Sequence, residues 1–286
     1  MNQLQLIGAI EIGLIYSLVA IGVYITFKII DFPDLTVDGS FTLGAAISSS
    51  MIFAGYDPYF STLIAIFVGG ISGLITGYLN VCWDILGLLA GILTMTALYS
   101  INLRIMGKPN IAIDATQSIF GDYSIILIFI FIVTFLIFIL SRFFISELGL
   151  AIRAIGINPK VSSAYGINVG LMKIIALSLS NAIIALAGSL FAQSQGFADI
   201  SMGTGTIIIG LASVIIGEAV IHSDKIWNGF ITCAIGSIIY RIVIAFALNA
   251  SEIGLEPSDL NLITATLVAL TMISTKLRKK KIVRSV

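Results

Sequence analysis

The chain has 286 residues, 58% hydrophobic and 10% charged, with mean hydropathy +1.09 and zero formal net charge. A soluble domain carries roughly 25% charged residues, so this chain has too little polar surface for water, and a bilayer is its solvent. The only basic run is the C-terminal tail, which excludes a nucleic-acid face; two cysteines and one histidine give no metal-ligand spacing. At about 20 apolar residues per span, the chain predicts an all-α, polytopic membrane protein with about nine transmembrane helices, forming a single domain over 1–286. In order these are 7–30, 39–55, 59–80, 84–104, 121–144, 170–193, 204–221, 226–248 and 258–275. The first span lacks a basic n-region, so no removable signal peptide is expected. The seventh is short and opens in a Gly/Thr run, as a half-broken or re-entrant helix does. Pro257 suits the first turn of the ninth. Cys82 and Cys233 fall at or inside apolar segments and read as small fillers.

Two stretches where a helix breaks are alike. Phe32-Pro33-Asp34-Leu35-Thr36-Val37 and Phe197-Ala198-Asp199-Ile200-Ser201-Met202 match in kind at five of six positions, with Asp199 standing 165 positions after Asp34. Each is followed by a Gly/Ser/Thr-containing run and then an apolar helix. A polar break repeated in two halves of an apolar chain points to a transport site. In hydrocarbon an unpaired backbone group costs several kcal/mol, so Asp34, Thr36, Asp38 and Ser40, with Asp199, Ser201, Thr204 and Thr206, are candidates to line a substrate path. The plainer reading, turns that cap helices at the membrane face, stays open beside it. Ser40 and Thr204 are the expected N-caps.

Basic residues set orientation. Lys276, Arg278, Lys279, Lys280, Lys281 and Arg284 of the tail fall on one side with Arg142, Arg153, Lys160, Lys173, Lys28 and Lys225; only Arg104 and Lys108 fall on the other. The C-terminus is therefore expected inside and, with nine spans, the N-terminus outside. The helices before the two breaks then run oppositely, which predicts an inverted-topology repeat with halves at about 7–104 and 170–275.

Other polar positions lie within apolar stretches. Glu11 and Glu218 are candidate intramembrane carboxylates, and Arg241 is a possible partner for Glu218. Asn80 and Asn181 are expected to bond between helices, and Gly69, Gly73 and Gly77 form a small-residue packing stripe. The loop 145–169 is too mixed to span. It predicts two short helices broken at Asn158-Pro159, with Gly156 and Gly166 as C-caps. Such a pair either docks into a partner's groove or lies on the headgroups.

The segment Arg153-Ala154-x-Gly156-x-Asn158-Pro159, continuing through Ala164 to Gly166-Ile167, resembles the coupling loop of ABC importer permeases of the branched-chain amino acid type. The two break motifs resemble a sub-group associated with tryptophan and tyrosine uptake. The likeness spans roughly residues 7–275. It implies a non-catalytic permease in the bacterial inner membrane, a homodimer that carries ATPase subunits and receives substrate from an extracytoplasmic binding protein. Glu147, Arg153, Gly156, Asn158, Pro159, Lys160 and Gly166 are then the expected contacts with the ATPase. No G-x-x-x-x-G-K-[ST] loop occurs, so ATP is expected on the partner and no cofactor on this chain. Two other readings are an ion-coupled secondary transporter, which needs no docking loop, and an importer for nucleosides or other small solutes. An intramembrane hydrolase has no Ser/His pair or metal set to support it.

Overall fold

The computed structural model describes residues 3–113, 118–120, 125–221 and 225–249, with the isolated positions 266 and 269. Helix α1 (Gln3–Val23) runs on into a six-residue π-helix (Tyr24–Ile29). Asp31, in the left-handed region at φ 51°, follows it. Then come α2 (Thr36–Phe53), α3 (Pro58–Cys82), α4 (Gly87–Met106), strand β1 (Asn110–Ala112) and α5 (Ile125–Ile145). Two short helices follow, α6 (Glu147–Ile157) and α7 (Pro159–Ala164). The chain continues through α8 (Val169–Gln195), strand β2 (Phe197–Asp199), α9 (Thr206–Val220) and α10 (Ile226–Asn249).

Six of the described helices are long and apolar enough to cross a membrane: α1 with its π-helix, α3, α4, α5, α8 and α10. This is fewer than the nine expected. The reasons are local. Helix α2 carries Asp38 and many Ser, Thr and Gly residues, and α9 loses its first turn to the Gly203-Thr204-Gly205 bend. At 1.5 Å per residue α9 is only about 22 Å long, against a hydrocarbon core of about 30 Å. The ninth expected span, 258–275, lies outside the described residues except for positions 266 and 269, and the basic tail lies wholly outside them. The two three-residue strands pair antiparallel, Ile111 opposite Ala198. Six residues in strands leave the fold all-α, as expected.

Glycines set how closely the helices approach. Gly69 lies under Ala185 and the Asn181 carbonyl, Gly73 against the Leu177 carbonyl and Ser178, and Gly77 against Ile174. Positions rise along α3 as they fall along α8, so the pair is antiparallel, and the expected small-residue stripe is its seam. A second antiparallel seam joins α1 and α10: Gly13 faces Ile238, Ser237 Oγ donates to the Gly13 carbonyl at 2.7 Å, and Gly229 faces the Tyr24 ring. Advancing Gly13 by 165 positions gives Ser178, and setting Ile238 back by 165 gives Gly73, so the two seams meet at corresponding residues. The packing of α2 on α8 is likewise matched by that of α9 on α1, and α2 on α3 by α9 on α10.

Loops gather at two ends. At one, Gly156 sits on the Ile29 carbonyl and Lys28 meets Glu218. At the other, Ser50 Oγ donates to the Ile105 carbonyl, Lys108 lies over the Phe53 ring, and β1 pairs with β2.

Candidate substrate path and docking elements

The first break is buried. Asp34 is fully buried, its Oδ1 accepting the Thr36 N–H at 2.9 Å and its Oδ2 accepting Asn181 Nδ2 at 2.7 Å. Asn181 stands midway along α8, so the 30–35 turn reaches deep into the bundle. From there a polar network runs across four helices. Ser40 Oγ donates to Asn181 Oδ1 and contacts Ser72 Oγ, both at 2.7 Å. Thr36 and Thr76 share a hydrogen bond of 2.7 Å, and Thr76 Oγ1 donates to Thr94 Oγ1 at 2.9 Å. Buried polar groups are stable only when so satisfied.

The second break repeats the local turn in a different setting. Asp199 Oδ1 accepts the Ser201 N–H at 2.8 Å, as Asp34 Oδ1 accepts that of Thr36. The Ser201 hydroxyl also donates to it, and Asn110 Nδ2 lies 3.5 Å from the other oxygen. Asp199 is half-buried at the rim, and hydrogen bonds from the Ser201 hydroxyl and then its N–H hold its carboxyl below the usual carboxylate range. Ser201 and Thr204 are exposed and Thr206 is buried.

Asp38 brings the two breaks together. It stands on the first turn of α2, yet its Oδ2 accepts the Gly205 N–H at 2.9 Å and its Oδ1 the Ile207 N–H at 2.8 Å. It thus caps α9 from 167 residues away, where the helix dipole favours an anion. Gly203 packs directly on the Asp38 carbonyl and Thr42 Oγ1. This corrects two expectations. Ser40 is inside α2, whose N-cap position is Leu35, and Gly205 rather than Thr204 precedes α9.

Other polar residues also differ from expectation. Glu218 pairs with Lys28 (2.9 Å), not with Arg241, whose guanidinium lies 4.3 Å from the centre of the Tyr16 ring. Asn80 donates to the Ile85 carbonyl and closes the α3–α4 turn instead of bridging helices. Cys233 is buried, but Cys82 is exposed. Glu11 is half-buried on α1.

The loop after α5 forms the two expected helices. Ser146 Oγ caps α6, Asn158 Oδ1 accepts the Val161 N–H at 3.1 Å, and Pro159 opens α7. Glu147, Asn158, Pro159, Lys160 and Gly166 are exposed, and Arg153 is half-buried. Gly166 has φ +82° and ends α7 as expected; Gly156 lies inside α6, where its bare Cα lets the helix rest on the π-helix. The underside of α6 is buried at Ile152 and Ile155, while Ile157 (87% exposed) and Tyr165 (84%) project outward.

No solved structure matches the chain. A tyrosine transport system permease protein of Clostridioides difficile (strain R20291) is 40% identical over 264 residues, covering 92% of this chain and 88% of that one. An uncharacterised protein of Rickettsia prowazekii (strain Madrid E) is 35% identical over 278 residues, covering 95% and 98%. The profile of the permease component of branched-chain amino acid transport systems matches residues 6–274. This chain belongs to that family of permeases.

Proposed function

We propose that the chain is the membrane-spanning permease of a bacterial ABC importer for amino acids, aromatic or branched-chain, driven by separate ATPase subunits. The observation that carries this reading is the α6–α7 pair. Its inner face is fixed on the π-helix through Gly156 and Ile29, while Ile157, Val161 and Tyr165 present apolar side chains outward. A helix pair anchored on one face and apolar on the other suits a partner's groove. The name of the Clostridioides difficile relative supports tyrosine as a substrate.

In the same reading the permease is a homodimer in the inner membrane, supplied by an extracytoplasmic binding protein. Its halves form an inverted-topology repeat, its N-terminus lies outside, and its C-terminus is cytoplasmic. The corresponding seams at Gly13–Ile238 and Gly73–Ser178 support the repeat, and the rim that gathers Lys28, Arg153 and Lys160 supports the orientation. The Asp34 and Asp199 turns shape the path, and Asp38 locks one to the other.

The test is purification of the tagged chain from its native host, followed by reconstitution in liposomes. An ATPase copurifies, and uptake of L-tyrosine or another amino acid follows ATP hydrolysis. Uptake by the chain alone, driven by an ion gradient, refutes the reading.

A further inference from the structure

The π-helix at the end of α1 has no cause in the length of the chain. Residues 24–29 are wound so that the Ile30 N–H reaches back five residues to the Ile25 carbonyl, at 3.2 Å. Such a turn takes up one residue more than an α-turn, so it serves to absorb a surplus. No surplus exists here. Gly13 to Asp34 spans as many residues as Ser178 to Asp199, and the segment corresponding to 24–29 at the 165-residue offset, 189–194, lies within continuous α8. No Gly or Pro falls in 24–29 to break the α form. Equal lengths of chain are thus wound differently in the two halves.

The two segments are also held differently. Helix α6 rests on the π-helix, where Gly156 meets the Ile29 carbonyl and the Ile30 Cα. Lys28 Nζ reaches Glu218 of α9 at 2.9 Å, and the Tyr24 ring lies against Gly229 and Phe230 of α10. In 189–194 the hold is internal to the bundle: Gln193 Nε2 donates to the hydroxyls of Ser48, Thr62 and Ser189. Residues 147–157 have no counterpart at that offset, which falls beyond either end of the chain. Among the described residues, the π form occurs only where α6 is seated. Beyond it the chain enters the Asp34 turn at once. The Phe32 N–H donates to the Thr26 carbonyl at 2.9 Å, so the turn starts on the π-helix itself. Asp34 and Asp38 then lead from it to Asn181 and to α9.

We propose that residues 24–29 are a length switch through which α6 acts on the substrate path. When α6 moves with the ATPase it pulls on Ile29, and the segment rewinds from π to α, the form that 189–194 already has. The chain beyond then advances by about 1.5 Å, the rise of one residue, and carries the Asp34 turn with it. Helix shifts of about this size are a known means of switching. The proposal rests on the ATP-driven reading above and names the element through which the drive passes.

The experiment uses the purified permease–ATPase complex in lipid nanodiscs, on a background in which the exposed Cys82 is replaced by Ser. Lys28 is exposed and Ile29 is buried, so Lys28→Cys and Ile29→Cys report the winding of the segment to a water-soluble maleimide. Labelling is followed without nucleotide and with ATP trapped by vanadate. Without nucleotide Lys28→Cys is expected to react severalfold faster than Ile29→Cys, and trapping should reduce or reverse that ratio. Ser194→Cys, at the position corresponding to Ile29, should keep its rate. Spin labels on Lys28→Cys and Leu171→Cys leave the buried isoleucine in place, and their separation should change between the two states. If Ile29→Cys does not assemble, that separation alone decides. An unchanged ratio and separation, in a complex that hydrolyses ATP and imports an amino acid, overturn the proposal. So does a change at Ser194→Cys equal to that at Ile29→Cys, since the movement then belongs to the whole bundle. If no ATPase accompanies the chain, the importer reading itself fails.

Discussion

Asn181 Nδ2 donates to Asp34 Oδ2 across 2.7 Å, from the middle of α8 to the turn that precedes α2. The bond joins the two halves of the chain at a fully buried carboxyl, and Asn181 Oδ1 accepts Ser40 Oγ at the same time. One amide therefore fixes both the turn and the helix that follows it.

Asp34→Asn keeps the shape and one oxygen, so either the Thr36 N–H or the Asn181 amide loses its acceptor. The expected cost is about 1–3 kcal/mol. Assembly survives, and the melting temperature of the purified permease falls. Asp34→Leu removes both acceptors and is expected not to assemble. The double variant Asp34→Asn/Asn181→Asp returns an acceptor to the pair, and its melting temperature should exceed that of either single variant.

Asp38 holds two N–H groups of α9. Asp38→Ala is expected to cost about 1–2 kcal/mol, the loss of an N-cap. Hydrogen exchange should quicken at residues 205–209 and remain unchanged in the seam of α3 with α8. Asp38→Asn should show a smaller change, since it keeps one acceptor.

The two faces of the α6–α7 pair should separate in experiment. Gly156→Ala drives a methyl into the Ile29 carbonyl and should reduce the yield of folded permease. Val161→Glu and Tyr165→Ala alter only exposed side chains. They should leave the melting temperature unchanged and reduce copurification of the ATPase.

Lys28 and Glu218 form a half-exposed pair, 53% and 35% exposed. Such pairs contribute about 0.2–1 kcal/mol, so Lys28→Gln should barely shift the melting temperature. The pair ties the π-helix to the end of α9, and a change in uptake rate with intact stability is the expected outcome. Exchanging the charges, Lys28→Glu with Glu218→Lys, should restore the rate.

Apolar runs carried the helices: every expected span within the described residues has a helix at its place, within a few residues. The Asp-x-Thr and Asp-x-Ser turns were also legible, because an Asp two residues before an N–H makes the same local bond in both copies. Long-range partners were not. Nothing in the local pattern of Glu218 distinguishes Lys28 from Arg241, and Asn181 lies 147 residues from Asp34. Strands of three residues have no periodic signal, so β1 and β2 went unread. Gly156 looked like a cap because of the Asn158-Pro159 break just after it; its actual role depends on a carbonyl more than a hundred residues earlier. The identity of the Asp38 cap had one available signal: an acid on the first turn of α2 with no partner of its own.

The interlocked glycines of α3 and α8 also bear on movement. Gly69, Gly73 and Gly77 bring α3 close to the backbone of α8 over three successive turns, at Asn181, Leu177 and Ile174. Helices meshed in this way resist sliding, since a shift of one residue drives each Cα into its neighbour's carbonyl. Together with α2, which packs on both, they form a keel. On the opposite flank α1 carries the π-helix, α9 is short, and the seam of α1 with α10 rests on Gly13, Gly229 and Ser237. Backbone thus meets backbone on both flanks, since Gly217 lies on the Thr232 carbonyl and Gly236 on that of Ser213.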